Sequence, residues 1–491
     1  MSYLNNLKEA TDYKLTENGA IAHSSTGSYL YDLFSLGGAY RSRSDEDCIV
    51  LFKNAFNEDS IYALKCLFYL RDILEGQGER RFFRVVMKYM ANTETARIRS
   101  LLEYVPEFGR WDDLYVFVDT PLAEDAFNLM KKQLALDVSC KTPSLLAKWL
   151  KSENTSSQES RILGNLTRIH FGMSHKQYRK TLSILRERIK VLERLMSANR
   201  WDEIEFDKIP SKAGIKYKNA FARRDIIKAK YEAFAKDTNT KVNAKALYPY
   251  EVVRAAINHY ARHCDNTNRL MVNKYWDNLS DYFEGASFNG LAVVDTSGSM
   301  TWGGDSVRPI DIAISLGLYC ADKAKGPFHG YYVSFASRPQ LIATEGADFC
   351  DKVKRIYETN LCDNTNLEAT FDLLLNTALK NHTPQDEIPE NLIIISDMEI
   401  DAARGYYTHS SNPPEALMES IHKKWEQYGY KMPKLIYWNV NARNNTILDK
   451  SENVSYVSGA SPVIFQQIMS GKTGFDLMMD KLNNKRYNCI K

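Results

Sequence analysis

Asp295-Thr-Ser-Gly-Ser299 sets one acid and two hydroxyls at alternate positions directly after the aliphatic run 291–294. Oxygens of this kind on one tight turn suit a hard divalent cation such as magnesium, which takes carboxylate, hydroxyl and water oxygens. One turn cannot fill an octahedron, so further donors must come from neighbouring strand ends. Two candidates stand in fitting positions: Thr365 in Asp363-Asn-Thr-Asn366, just before a helical pattern, and Asp397, directly after the apolar run 392–395. Two carboxylates would leave the ion open positions for water or for an acidic ligand group. Asp295, Ser297 and Ser299 could instead simply cap a following helix, for which Asp and Ser are good residues. Three separated elements, each at an expected strand end, favour the ion.

Catalytic readings of the same residues are poorer. Ser297 lacks the Gly-x-Ser-x-Gly turn of hydrolases, and the nine histidines show no spacing that would supply a base to a serine. There is no Gly-x-x-x-x-Gly-Lys phosphate loop. Metal-assisted hydrolysis would need a general base beside the ion, and Glu399 is the one candidate by position; Asp401 is the other nearby acid. The chain is expected not to be an enzyme.

The elements that must carry these residues are written in the apolar pattern. After residue 285, strands near 291–294, 330–335, 340, 392–395, 435–438 and 454–457 alternate with helices near 307–324, 367–380 and 413–428. Continuous aliphatic runs are those of parallel strands covered on both faces, and open α/β sheets hold ligands at the carboxyl ends of such strands. A doubly wound parallel-sheet domain over 286–491 is expected. Before it, apolar positions at three- and four-residue spacing predict short helices near 48–57, 61–74, 81–91, 95–104 and 122–136, separated by breakers such as Gly76-Gln-Gly78. A helical solenoid or array over 1–285 is expected, with no fixed-period repeat visible.

At 491 residues the chain can bury large cores without help. Its eight cysteines are scattered singly, which argues against a disulfide framework or a zinc site. The first twenty residues are polar, and no apolar run approaches the roughly 18 residues of a membrane span; a cytoplasmic protein without membrane association is expected. The net charge of +3 hides an asymmetry: residues 151–250 hold 22 Lys or Arg against 11 acids, while 301–491 hold 20 against 23. Such a block points to an anionic partner. Arg168, Lys176, Arg179, Lys180, Arg186, Lys190 and Arg194 are expected on a positive ridge beside an apolar stripe of Leu182, Leu185, Ile189, Leu192 and Met196, read as one helix. Lys216, Lys218, Arg223 and Arg224 continue it, interleaved with Tyr217 and Phe221. Cations tracking a backbone, with aromatics available for stacking, are what sequence-tolerant single-strand binding requires. Singly, Tyr217, Phe221, Trp111 and Trp149 are more often core residues.

Asp295-Thr-Ser-Gly-Ser299 with Thr365 and Asp397 resembles the metal-ion-dependent adhesion site of von Willebrand factor A domains. The resemblance implies that these five residues hold magnesium, with a partner's carboxylate completing the coordination. Met398 stands where that family commonly has glycine. Arg71-Asp-Ile-Leu-Glu-Gly-Gln-Gly-Glu-Arg80, Val105-Pro-Glu-Phe-Gly-Arg-Trp-Asp-Asp-Leu114 and Ser144-Leu-Leu-Ala-Lys-Trp-Leu150 resemble segments of the Ro autoantigen ribonucleoproteins (the TROVE module), and more closely those of an uncharacterised sister family with the same A domain. That resemblance covers nearly the whole chain. It implies a ring of HEAT-like helices and an A domain, binding single-stranded RNA ends or structured non-coding or misfolded RNA. A protein-interaction adaptor, gripping an acidic partner through the metal and binding no RNA, is the competing expectation.

Overall fold

The computed structural model describes residues 14–261, 266–301, 307–359, 364–401 and 417–491. Cys264, Cys362, Asp363 and the start of the helix expected at 413 lie outside the described residues. Two compact units emerge: Met1–Cys66 with Leu247–Cys489 and Lys491, and Leu67–Ala246 with Ile490.

The first unit is built on a six-stranded sheet. Its strands are β3 (Gly290–Asp295), β4 (Tyr331–Phe335), β5 (Leu341–Ala343), β6 (Asn391–Ser396), β7 (Lys434–Asn439) and β8 (Val454–Ser458), in the order β5-β4-β3-β6-β7-β8. Five are parallel; β5 runs antiparallel along the edge, so the sheet is mixed rather than wholly parallel. The central strands are aliphatic because helices cover both faces. Gly317, in the helix Pro309–Lys323, lets that helix lie close on β3, since a Cβ there would stand 2.4 Å from Val294 Cγ2. The helix Leu367–Asn381 meets Leu417–Gln427 through Phe371 and Trp425.

Three features of this unit left weak signals. The amino-terminal helix Tyr29–Leu36 packs on β8, where Tyr31 Oη accepts the Tyr456 amide at 2.8 Å. Before it, β1 (Lys14–Leu15) and β2 (Ile21–Ala22) form a small hairpin whose turn contains Asn18-Gly19. A helix, Phe349–Thr359, also stands where none was expected.

The second unit is helical: Arg81–Thr93, Thr95–Leu101, Ala123–Ser139, Gln158–Phe171, His175–Arg188, Ser211–Arg223 and Asp225–Lys236 are its longer elements. Its motif residues build a buried ion cluster. Arg71 Nε and Nη2 donate to Asp113 Oδ2 at 2.9 and 2.7 Å, and Arg84 Nε donates to Asp113 Oδ1 at 2.7 Å. Gly109 is required beside it, because a Cβ would approach Asp113 Oδ2 to 2.4 Å.

The single helix expected through 182–196 is two. His175–Arg188 stops at Ile189, Lys190 takes the left-handed conformation (φ 48°), and a short helix, Leu192–Ser197, follows. Leu182, Leu185 and Leu192 are buried, while Ile189 and Met196 are half-buried. Among the described residues no helix is long and apolar enough to cross a membrane. Among the described residues, Cys48, Cys66, Cys140, Cys320, Cys350 and Cys489 are in no disulfide.

Candidate ion site and cationic helices

β3 and β6 are adjacent and parallel, with Val294 opposite Ile395, so their carboxyl ends bring Asp295 and Asp397 side by side. Both are fully buried. Each carboxylate is anchored by its own turn, and Asp295 also from the end of β6: the Ser297 amide donates to Asp295 Oδ1 (2.9 Å), the Ser396 hydroxyl to Asp295 Oδ2 (2.5 Å), and the Glu399 amide to Asp397 Oδ1 (3.3 Å). The Ser297 and Ser299 hydroxyls lie 3.0 Å apart, and the Ser299 hydroxyl draws the Asp397 carboxyl's pKa down. Four of the five expected oxygen donors therefore converge.

Thr365 is buried on the adjoining loop, its hydroxyl donating to the Glu399 carbonyl at 3.0 Å with Asp401 Oδ1 at 3.3 Å. It is tied to the Asp397 loop, and the Asp401 amide returns the contact to the Thr365 carbonyl. Met398 adopts φ 67°, the region glycine favours, and its amide donates to Ser396 Oγ, which itself holds Asp295. Methionine thus makes the turn that glycine makes with less strain.

Electrostatics at this point favour a cation. Burial first, then the neighbouring Asp397, pushes the Asp295 carboxyl up to about 7. Burial likewise raises Asp397, against the opposing pull of the Arg443 guanidinium and the Ser299 hydroxyl. Two buried acids on adjacent strand ends make it costly to hold both ionised, a cost that a positive charge beside them offsets. No group of three His, Cys, Asp or Glu among the described residues is arranged to hold a metal, so an ion here would depend on hydroxyl oxygens as much as on carboxylates. That all-oxygen set fits magnesium and not a thiophilic metal.

Sequence reasoning missed three residues at this site. Arg443, after β7, sets Nη2 3.1 Å from Asp397 Oδ2 and Nη1 2.7 Å from Glu17 Oε2. Glu17 and Asn18 sit at the tip of the β1–β2 hairpin. The Glu17 amide donates to Glu399 Oε2 (2.7 Å), and Asn18 Nδ2 donates to the Glu399 carbonyl (2.7 Å) and to Thr365 Oγ1 (3.3 Å). The Asn-Gly pair is the hairpin signal that could have pointed there. Glu399, the one base considered for hydrolysis, has both carboxylate oxygens engaged, by Glu17 and by Asn444 Nδ2 (3.0 Å).

In the helical unit the expected cations divide into two sets. Arg186 spends its guanidinium on the Ala147 and Leu150 carbonyls (both 2.8 Å) and Ser152 Oγ (3.0 Å), and burial lowers its pKa. Arg168 is held by Glu153, Asn165 and the Met173 carbonyl, and Lys218 is buried. Lys176, Arg179 and Lys180 are exposed on one face of His175–Arg188, at the i, i+3, i+4 spacing of helix neighbours. Lys190, Arg194, Lys216, Arg223 and Arg224 are also exposed. Arg224 lies 4.7 Å over the Trp201 ring and Lys216 4.9 Å over Tyr217. Phe221 is core, packed on Trp201, Phe206 and Tyr231, whereas Trp111, Trp149 and Tyr217 are half-buried.

The model of a domain of unknown function, DUF2828, matches residues 16–159 and 137–284, and that of a second, DUF7788, matches 289–488. A relative in Acanthamoeba polyphaga mimivirus, the uncharacterized protein L728, is 30% identical over 502 residues, spanning 93% of this chain and 84% of the relative. The crystal structure of the Deinococcus radiodurans RO (RSR) protein superposes with a TM-score of 0.51 at 12% identity, over 91% of this chain and 100% of that one. The chain shares the Ro-like architecture of an amino-terminal helical region followed by a mixed-sheet domain.

Proposed function

The chain belongs to the DUF2828 family, here joined to a DUF7788 half, and from that footing we propose that it is an RNA-binding protein that also carries a divalent-ion site. The observation that supports RNA binding is the exposed trio Lys176, Arg179 and Lys180, with exposed Lys190 at the helix break; exposed Arg194 beyond it is shared with Glu187, 3.9 Å away. Cations that are not consumed by internal acids are available to displace counterions from a phosphate backbone. Lys216, Arg223 and Arg224 would add contacts, while Arg168 and Arg186 hold the helical unit together instead and Lys218 is buried. Recognition of this kind follows charge and backbone more than base identity, which suits structured non-coding or misfolded RNA. The likeness to the RO (RSR) protein supports the same direction through its fold. Filter binding of a labelled structured RNA at low salt tests it, with retention expected and an absence of retention contradicting it.

For the ion, Asp295, Ser297, Ser299 and Asp397 would be direct donors, with Thr365 direct or through water. A bound magnesium would supply a fixed positive charge with an open position for an acidic group. The chain's own residues do the rest: Ser396 and the Ser297 amide orient Asp295, and the Glu399 amide orients Asp397. The convergence of those four donors favours a second, compatible reading, an adaptor that grips a partner's Asp or Glu through the ion. Chelator-sensitive partner capture, unaffected by charge reversal of Lys190 and Arg194, would favour the adaptor alone.

A further inference from the structure

The Arg443 guanidinium bridges two carboxylates that belong to different parts of the chain. Its Nη2 is 3.1 Å from Asp397 Oδ2 and its Nη1 is 2.7 Å from Glu17 Oε2. Asp397 is fully buried, while the Arg443 side chain retains 29% exposure. Its Nε is buried without a hydrogen-bond partner, so this guanidinium is not saturated where it stands. Glu17 is held by its surroundings: Asn444 Nδ2 donates to its Oε1 (3.2 Å), and the hairpin that carries it is fixed to the Asp397 loop by the Thr16 hydroxyl on the Ile400 carbonyl (2.6 Å) and by Asn18 on Glu399 (2.7 Å).

We propose that Arg443 is a tethered counter-cation of the strand-end ion site, which a divalent ion displaces from Asp397, and that Glu17 is the carboxylate that retains the displaced guanidinium. The inference rests on the ion-binding reading above. Physically, a unit positive charge against a ligand carboxylate competes with an incoming ion for the same negative charge and repels it. Without an ion, the guanidinium offsets part of the charge that Asp295 and Asp397 bury together. With an ion, it loses the Asp397 contact and keeps Glu17, so Glu17 lowers the cost of the exchange. The amino-terminal hairpin thereby becomes part of the site, and ion affinity depends on its remaining docked.

The test uses the full chain and Mn2+ as the probe, with free Mn2+ counted by its electron paramagnetic resonance signal and folding checked by thermal melting. Arg443→Met should tighten Mn2+ binding by at least about tenfold, the scale on which a charge a few ångströms away alters the ionisation of a neighbour. Arg443→Lys, which keeps the charge, should stay near wild type. Glu17→Gln should weaken binding several-fold in the wild-type background and have no effect in Arg443→Met. If Arg443→Met does not fold, Arg443→Gln carries the same expectation. Wild-type binding that Arg443→Met leaves unchanged or weakens overturns the counter-cation alone, as does an equal Glu17→Gln effect in both backgrounds. No Mn2+ uptake by any variant overturns the ion site itself.

Discussion

Arg71 and Asp113, 42 positions apart, meet in a buried ion pair in which two guanidinium nitrogens reach one carboxylate oxygen at 2.9 and 2.7 Å. Burial opposes the charge on Asp113, yet Arg71 and Arg84 together hold its carboxyl below the usual range. Both partners are almost wholly shielded, 2% and 0% exposed, so removing one strands the other's charge. Asp113→Ala should therefore cost about 3–5 kcal/mol. Urea denaturation followed by far-ultraviolet circular dichroism measures it, and a loss under about 1 kcal/mol would mean that the cluster is replaceable, as exposed pairs are.

Met398 sets two effects of opposite sign against each other. Its left-handed backbone costs about 1–2 kcal/mol, which glycine would recover. Its side chain is 1% exposed, and deleting a buried methionine side chain costs about 2–5 kcal/mol. Met398→Gly should thus be net destabilising, and a raised melting temperature would show that strain outweighs packing here.

The pair His422 and Asp449, 2.8 Å apart, gives a pH dependence. The hydrogen bond that His422 donates to Asp449 raises the His422 pKa above 6.5, overcoming burial. For Asp449, burial pushes upward, but His422 and the Ser451 amide outweigh it and hold the carboxyl below 3.8. The histidine's contribution is fully present below about 6.5 and disappears as pH rises through its folded value; the aspartate's is present above about 3.8 and disappears as pH falls through its own. The pair stabilises most between those limits. Asp449→Asn should lower the melting temperature more at pH 5.5 than at pH 8.5, and an equal drop at both would deny the pair its charge.

Ion binding should appear as stability. Saturating magnesium stabilises a protein that binds it only when folded, by about 2.7 kcal/mol at a hundred times the dissociation constant. The wild type should melt higher with magnesium than with a chelator, and Asp295→Asn should lose that difference. A variant that still responds to magnesium would remove Asp295 from the donor set.

Much of this was legible because burial on both faces writes strands as unbroken aliphatic runs. That pattern announces β3 and β6 and thereby the strand-end positions of Asp295 and Asp397. The five helices expected between residues 48 and 136 followed from apolar spacing to within a few residues, whereas Tyr29–Leu36 did not. The edge strand β5 was faint, because it is three residues long and mostly exposed. Charge counting read Arg168, Arg186 and Lys218 as available, since composition does not reveal which cations a fold spends on its own carbonyls, as with the two arginines, or buries, as with Lys218. The helix break at Lys190 was hidden because the apolar stripe continues across it at helical spacing. The hairpin tip was least legible: Glu17 meets Glu399 across 382 positions, a pairing that only the tertiary fold creates.

The most direct measurement is the salt dependence of structured-RNA binding by the wild type and by Lys176→Ala, Arg179→Ala, Lys180→Ala in one chain. If these side chains hold phosphates, the wild type retains RNA at low salt and log affinity falls linearly with log salt. The triple variant should bind more weakly, with a slope shallower by about 2, close to 0.7 for each lost contact with a single strand. Absence of RNA retention at low salt, or an unchanged slope in the triple variant, would contradict RNA binding by these helices.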